Sequence, residues 1–181
     1  MEANTLYIHS DLVENSKQGD RNSQYKLFEL YVDAMYNVSM RMVRIKEDAE
    51  DIVQDSFVEA FNKLETYRYQ SSFGSWLKRI VVNRSINFLK KRKIPVVPFN
   101  NESFHVETDI YHNDLEIAIE IKKVIKGIRL LPAGYAQILN LYLIEGYDHV
   151  EIGEILEISQ STSKSQYHRA KKKLIDIIKT F

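Results

Sequence analysis

No proline interrupts residues 19–93, and along that stretch apolar side chains return at steps of three and four. A run of that length with a helical period and no breaker folds into helices packed on one another. Leu27, Phe28, Leu30, Tyr31, Ala34 and Met35 make one apolar stripe. Ala49, Ile52, Val53, Phe57, Ala60, Phe61 and Leu64 make a more regular one. After a polar aromatic loop over residues 67–75, a third helix is predicted from about Ser75 to Lys93. It turns Trp76, Leu77, Ile80, Val81 and Phe88 inward.

Two of the three prolines, Pro95 and Pro98, fall just beyond that region, followed by the polar run Asn100, Asn101, Glu102, Ser103. Residues 94–114 therefore read as a flexible linker. Beyond it Leu115 to Leu131 is predicted helical, and Pro132 starts another helix running to about Glu145, since a first turn tolerates proline. Two shorter helices follow, over about 148–157 and 161–178. There is no internal repeat and no convincing strand. The expected fold is all-α, with two small helical domains, residues 1–93 and 115–181, joined by the linker.

The formal net charge is zero, from 25 Lys and Arg against 25 Asp and Glu, yet the charge is segregated. Lys78, Arg79, Arg84, Lys90, Lys91, Arg92 and Lys93 form a stretch without acid, and so do Lys164, Arg169, Lys171, Lys172 and Lys173. Acid collects at Glu47, Asp48, Glu50, Asp51 and Asp55, and again between Glu102 and Glu120. Segregation of this kind produces local fields that the sum conceals. Each basic stretch is either a solvated helix face or a nucleic-acid contact.

Several classes of activity have no footing. Without cysteine there is no disulfide scaffold, zinc ribbon or thiol nucleophile. His9, His105, His112, His149 and His168 are scattered without metal-ligand spacing. No phosphate loop, nucleophile elbow or carboxylate pair stands outside the acidic helix face. Neither catalytic residues, a metal nor another cofactor is expected. No apolar run approaches the roughly 18 residues of a membrane span. Residues 1–14 carry Glu2, Asp11 and Glu14, unlike the basic start of a secretory signal, so the cytoplasm is the expected compartment.

Residues 150–170 have the pattern of a helix-turn-helix. Its first helix carries Ile152, Gly153, Ile155 and Leu156, and the small Gly153 admits a close neighbour. Ile158 fills the core at the turn, and Ser159 and Ser161 are both candidate caps for the second helix. There Ser163, Tyr167, Ala170 and Leu174 share the inward face, while Lys164, Ser165, His168 and Arg169 point outward. Those outward types can bond guanine edges or phosphates. A plain helical hairpin with a solvated basic face is the alternative.

At Leu131-Pro132-Ala133-Gly134-Tyr135, Leu141-Tyr142, Ile144-Glu145-Gly146-Tyr147, Glu151-Ile152, Thr162-Ser163-Lys164-Ser165-Gln166 and Arg169-Ala170-Lys171, the C-terminal part resembles region four of extracytoplasmic-function (ECF) sigma factors. The N-terminal part resembles region two of the same family. There the match is carried by Asp48-Ala49-Glu50-Asp51-Ile52-Val53-Gln54-Asp55-Ser56-Phe57 and by Trp76-Leu77-Lys78-Arg79-Ile80 with Asn83. Three positions depart from the family: Asn87 replaces a common acid, Glu157 a common turn glycine, and Ala136 a common arginine. They bear on promoter preference more than on class.

The resemblance implies a factor that binds core RNA polymerase and directs initiation at promoter DNA, commonly under the control of an anti-sigma factor. Asp48, Asp51, Gln54 and Asp55 would meet the polymerase clamp, although early-turn acids also complement a helix dipole. The −10 element would be read and opened by Tyr67, Arg68 and Phe73 of the loop, assisted by Tyr69. Lys78, Arg79, Asn83, Arg84 and Asn87 of the helix would complete that surface. Base stacking on aromatic rings suits that task. Trp76 is expected in the core, and Phe73 either there or in the loop. The −35 element would meet Lys164, Ser165, His168 and Arg169, with Lys171 and Lys172 on the backbone. Linker acids Glu102, Glu107, Asp109 and Asp114 would lie in a basic channel otherwise used by RNA. The rival readings are a self-sufficient helix-turn-helix regulator, for which no dimerisation helix remains, and an enzyme.

Overall fold

The computed structural model describes residues 8–92 and 114–181, the side chains of the second segment from Glu120 onward. Among the described residues the chain is helical, without strands, and it divides into two compact units, Met1–Lys93 and Ile94–Phe181. The tether expected over 94–114 lies outside the described residues, except for Asp114, which opens a helix.

The first unit contains α1 (Ser10–Lys17), α2 (Arg21–Val43), α3 (Lys46–Asn62), a 3-10 turn (Leu64–Thr66) and α4 (Phe73–Arg92). Asp20 caps α2, its carboxylate accepting from the amides of Asn22 and Ser23 at 3.3 and 3.0 Å. Arg44, in the left-handed region at φ 63°, ends α2 and turns the chain into α3. Helix α4 starts two residues before the predicted Ser75. Its cap is Ser72, whose hydroxyl accepts from the amide of Ser75 at 3.2 Å.

Leu27, Met35 and Val38 from α2, Ile52, Val53 and Phe57 from α3, and Phe73, Leu77, Val81, Val82 and Ile86 from α4 fill the core. The α3 stripe behaves as its periodicity predicts. The α2 stripe needs correction: Leu30 and Ala34 are exposed, while Leu27, Met35 and Val38 are buried and Phe28 and Tyr31 half-buried, their rings against Phe57 of α3 and Phe73 of α4. Helices α2 and α4 approach closely at Ser39 and Ser85, both fully buried. The Ser85 hydroxyl donates to the Val81 carbonyl at 2.8 Å, so the small polar group satisfies itself within its own helix.

Helix α1 has no counterpart in the sequence reading. Eight residues are too few to stand as an isolated helix in water. Val13, wholly buried, and Ser16 hold it on the unit.

The second unit contains α5 (Asp114–Leu130), α6 (Ala133–Leu139), α7 (His149–Leu156) and α8 (Gln160–Ile178). Ile128, Leu131, Ala136, Leu139, Ala170 and Leu174 form its core, with Val124, Tyr135, Tyr167, Ile177 and Ile178 against it. Gly127 makes the α5–α8 crossing possible: a Cβ there would lie 2.6 Å from Cδ1 of Leu174. Ala136 is buried in this core, so at that position the chain fits a small side chain into packing. Pro132 stands one residue before α6, as its cap. The helix predicted to reach Glu145 changes character at Asn140, where a π-helical turn (Asn140–Ile144) closes with the Glu145 amide on the Asn140 carbonyl at 2.9 Å. That wider turn buries Leu141 and leaves Tyr142, Leu143 and Ile144 exposed.

Candidate polymerase and nucleic-acid interfaces

Helix α7 is capped by Asp148, whose carboxylate accepts from the Val150 and Glu151 amides, while Glu151 accepts from the Asp148 amide at 2.9 Å. This reciprocal box fixes where the first helix of the helix-turn-helix begins. The turn is tight. The amide of Ile158 donates to the Gly153 carbonyl at 2.9 Å, and a Cβ on Gly153 would sit 2.8 Å from the Ile158 carbonyl oxygen. Glu157 accepts the left-handed conformation there, at φ 58° and ψ 44°. Ser159, rather than Ser161, caps α8, its hydroxyl accepting from the Thr162 amide at 3.1 Å.

Helix α8 then presents two faces. Ser163, Ala170 and Leu174 are buried and Tyr167 half-buried, whereas Lys164, Ser165, His168, Arg169, Lys171 and Lys172 are exposed. A brace from α7 fixes its rotation: the hydroxyl of Ser163 lies 2.9 Å from Nδ1 of His149. The His149 ring stacks on Tyr142 at 4.7 Å and meets Tyr167 edge-on at 5.5 Å. The sequence reading missed this ring cluster, although the i, i+4 spacing of Ser163 and Tyr167 placed both on the inward face.

In the first unit the acidic residues of α3 are only partly as expected. Asp51, Gln54 and Asp55 are exposed, but the Asp48 side chain is 12% exposed and ion-paired with Arg92 of α4. Asp48 is thus withdrawn from the open face, because the last turn of α4 covers it. Arg84 bridges back from α4 to α3, to Asp55 at 2.8 Å and to Glu59 at 2.6 Å. The hydrogen bonds from Lys63 and then from Arg84 hold the Glu59 carboxyl below its ordinary range.

The loop over residues 67–72 differs from the expectation in a way that matters. Tyr67 and Phe73 are buried, at 3% and 1% exposure, and with Trp76 and Tyr31 they form one aromatic cluster. Neither ring is open for stacking in this structure; the hydrophobic cluster has claimed both. Arg68 is exposed, as are Asn83 and Asn87, one turn apart on α4. Lys78 is half-buried and Arg79 exposed. Tyr69, half-buried, donates its hydroxyl to the Glu14 carboxylate at 2.6 Å. Among the described residues no group of His, Cys, Asp or Glu is placed to hold a metal ion. No helix there is long and apolar enough to cross a membrane.

Residues 27–94 match the sigma-70 region 2 family, and residues 121–174 match sigma-70 region 4. The chain belongs to the ECF RNA polymerase sigma factor family. It is 28% identical to ECF RNA polymerase sigma factor SigW of Bacillus subtilis over 173 residues, covering 90% of this chain and 92% of SigW. To the ECF RNA polymerase sigma-E factor of Haemophilus influenzae it is 29% identical, covering 88% of this chain and 89% of that protein.

Two solved structures share the fold. One is the sigma factor RpoE from Bartonella quintana, in complex with the anti-sigma factor NepR. It has a TM-score of 0.58 and 20% identity, over 86% of this chain and 96% of that one. The other is CnrH in complex with the cytosolic domain of CnrY. It has a TM-score of 0.54 and 21% identity, over 93% of this chain and 96% of that one. As an ECF sigma factor the chain directs transcription initiation through regions 2 and 4, and the family is non-enzymatic. Sigma factors bind RNA polymerase and promoter DNA.

Proposed function

We propose that the two units of this sigma factor divide promoter recognition between an opened strand and an intact duplex. The first unit binds core RNA polymerase through the α3 face, with Asp51, Gln54 and Asp55 as the open contacts and Asp48 reached by displacing Arg92. It meets the −10 element with Arg68, Asn83, Asn87 and the basic residues Lys78, Arg79 and Arg84. The second unit lays α8 in the major groove of the −35 element, with Lys164, Ser165, His168 and Arg169 toward bases and Lys171 and Lys172 toward phosphates.

The two-faced α8 carries this reading. Its buried side is fixed by Ser163, Ala170 and Leu174, so the opposite side has a defined orientation, and from Lys164 to Lys173 every charge on it is positive. A rigid helix of that kind suits direct readout of a groove. Its place of work is the cytoplasm, with the polymerase it serves. An anti-sigma factor is the further partner, by analogy with the fold relative RpoE, which was solved with NepR.

Reconstitution with purified core polymerase on a library of promoter fragments tests the proposal. The full chain should direct specific transcripts from fragments carrying two spaced elements. Transcripts that survive scrambling of either element would remove the division of labour. Strong sequence-specific duplex binding by the chain without polymerase would favour a self-sufficient regulator instead.

A further inference from the structure

We propose that α1 is a positioning element for promoter opening: Glu14 and Lys17 hold Tyr69, and through it the loop over residues 67–72, in the shape that receives an unstacked base. This rests on the reading above, in which that loop meets the −10 element. Helix α1 lies outside the residues that match sigma-70 region 2, which begin at residue 27.

The contacts converge on one ring. Glu14 and Lys17 stand one turn apart on α1 and pair with each other at 2.9 Å. The Tyr69 hydroxyl donates to the Glu14 carboxylate at 2.6 Å, and Nζ of Lys17 lies 5.0 Å from the centre of the Tyr69 ring and 6.0 Å from that of Tyr67. Beneath them Tyr67 is buried and donates its hydroxyl to the Ser71 carbonyl at 2.7 Å, closing the loop from inside. The loop is held at two points, one in the core and one by α1.

Tyr69 needs such a hold. Its φ is 57°, in the left-handed region that a bulky side chain adopts only when its surroundings fix it. That turn leaves Arg68 and Gln70, on either side of Tyr69, exposed. Release of the phenol from Glu14 would let residue 69 return to ordinary backbone and reorient both neighbours. A loop already ordered loses less freedom when it captures a base. Burial, followed by the hydrogen bond to Glu14, pushes the Tyr69 phenol above its ordinary range, so it stays a neutral donor. The same bond and then Lys17 hold the Glu14 carboxyl below its own, so it stays an acceptor.

The test uses the full chain assembled with core polymerase on one promoter in two forms. One form is fully paired, and the other is mismatched so that the −10 segment is already open. Glu14→Ala and Tyr69→Phe should each slow initiation about five- to tenfold on the paired form, the scale of one lost charge-assisted hydrogen bond at a partly exposed site. Both should stay near the wild-type rate on the open form. Glu14→Gln, whose amide oxygen still accepts from the phenol, should recover most of the lost rate.

Equal losses on both forms, or wild-type rates on both, would overturn the proposal. Tyr69→Phe keeps the ring and its packing, so it tests the contact even if Glu14→Ala folds poorly. Arg68→Ala separates the two levels of argument. If it is slow on the paired form while the Glu14 and Tyr69 variants are not, the α1 hold alone falls. If all of them are as fast as wild type, the assignment of this loop to the −10 element falls with it.

Discussion

In the first unit Arg84 and Arg92 of α4 already hold carboxylates of α3, namely Asp55, Glu59 and Asp48. In the second unit Lys164, Arg169, Lys171 and Lys172 stand exposed on α8, and no ion pair forms at them among the described residues. Cations without protein partners can take up phosphates directly, releasing counterions from the duplex. An arginine that already holds a carboxylate must exchange one anion for another, which leaves little net gain. On the proposed function, the α8 cations can therefore meet phosphates without first giving up a protein carboxylate, once the polymerase has brought the unit to the duplex. On the same proposal the first unit draws more on amides and on the polymerase, and its two surfaces share charges across α3 and α4.

The sharpest way to break this contrast is at the α3 face. Asp51→Lys with Asp55→Lys should reduce core polymerase binding at least about a hundredfold in a pull-down titration, since like charges facing each other cost several kcal/mol. Helical content should be unchanged. Asp55 also pairs with Arg84, so Arg84→Ala belongs beside it, and an equal loss there would show that the intramolecular pair, not the open face, is what matters.

A smaller effect is expected on α8. Arg169→Ala should weaken holoenzyme binding to the −35 duplex by about 1–3 kcal/mol and lower the salt slope by about one if a phosphate contact is lost. Binding measured across a salt series separates base from phosphate contact. The same slope change from Arg84→Ala would erase the difference between the units.

The smallest effect concerns stability. Arg84→Ala should destabilise the first unit by under about 1 kcal/mol at neutral pH, because the pair is partly exposed. Lys63 and Arg84 depress the Glu59 carboxyl, so its stabilising contribution is present above the ordinary value near 4.5 and is lost as pH falls through the folded value. Thermal melts of wild type and variant should therefore converge on acidification. A gap that persists in acid would assign the loss to packing of the arginine stem.

Periodicity was enough to find the α3 core and the inward faces of α7 and α8, because each depends on spacing along one helix. It failed where a helix owes its existence to distant partners. Helix α1 is too short to show a period and is held by Val13 and by the Tyr69 contact, which links residues far apart in the chain. Leu30 looked like core because it is apolar, yet only contact geometry decides which edge of a stripe is covered. Loop position makes Tyr67 a candidate platform for a base and leaves Phe73 open between platform and core; both rings are buried. Burial of a ring depends on whether an aromatic cluster lies beneath it, and Tyr31 and Trp76 supply one. Asp48 was placed on the right helix, but its pairing with Arg92 depends on the angle between α3 and α4.

Glu157 turns the corner between α7 and α8 in left-handed backbone. Either glutamate codon becomes a glycine codon when its middle A becomes G, so a gene for this chain is a single transition away from a relaxed corner. That transition would remove about 1 kcal/mol of backbone strain, less whatever glycine adds to the freedom of the unfolded chain. The heat tolerance of the second unit is therefore open to adjustment by one nucleotide, without touching any of the exposed cations of α8.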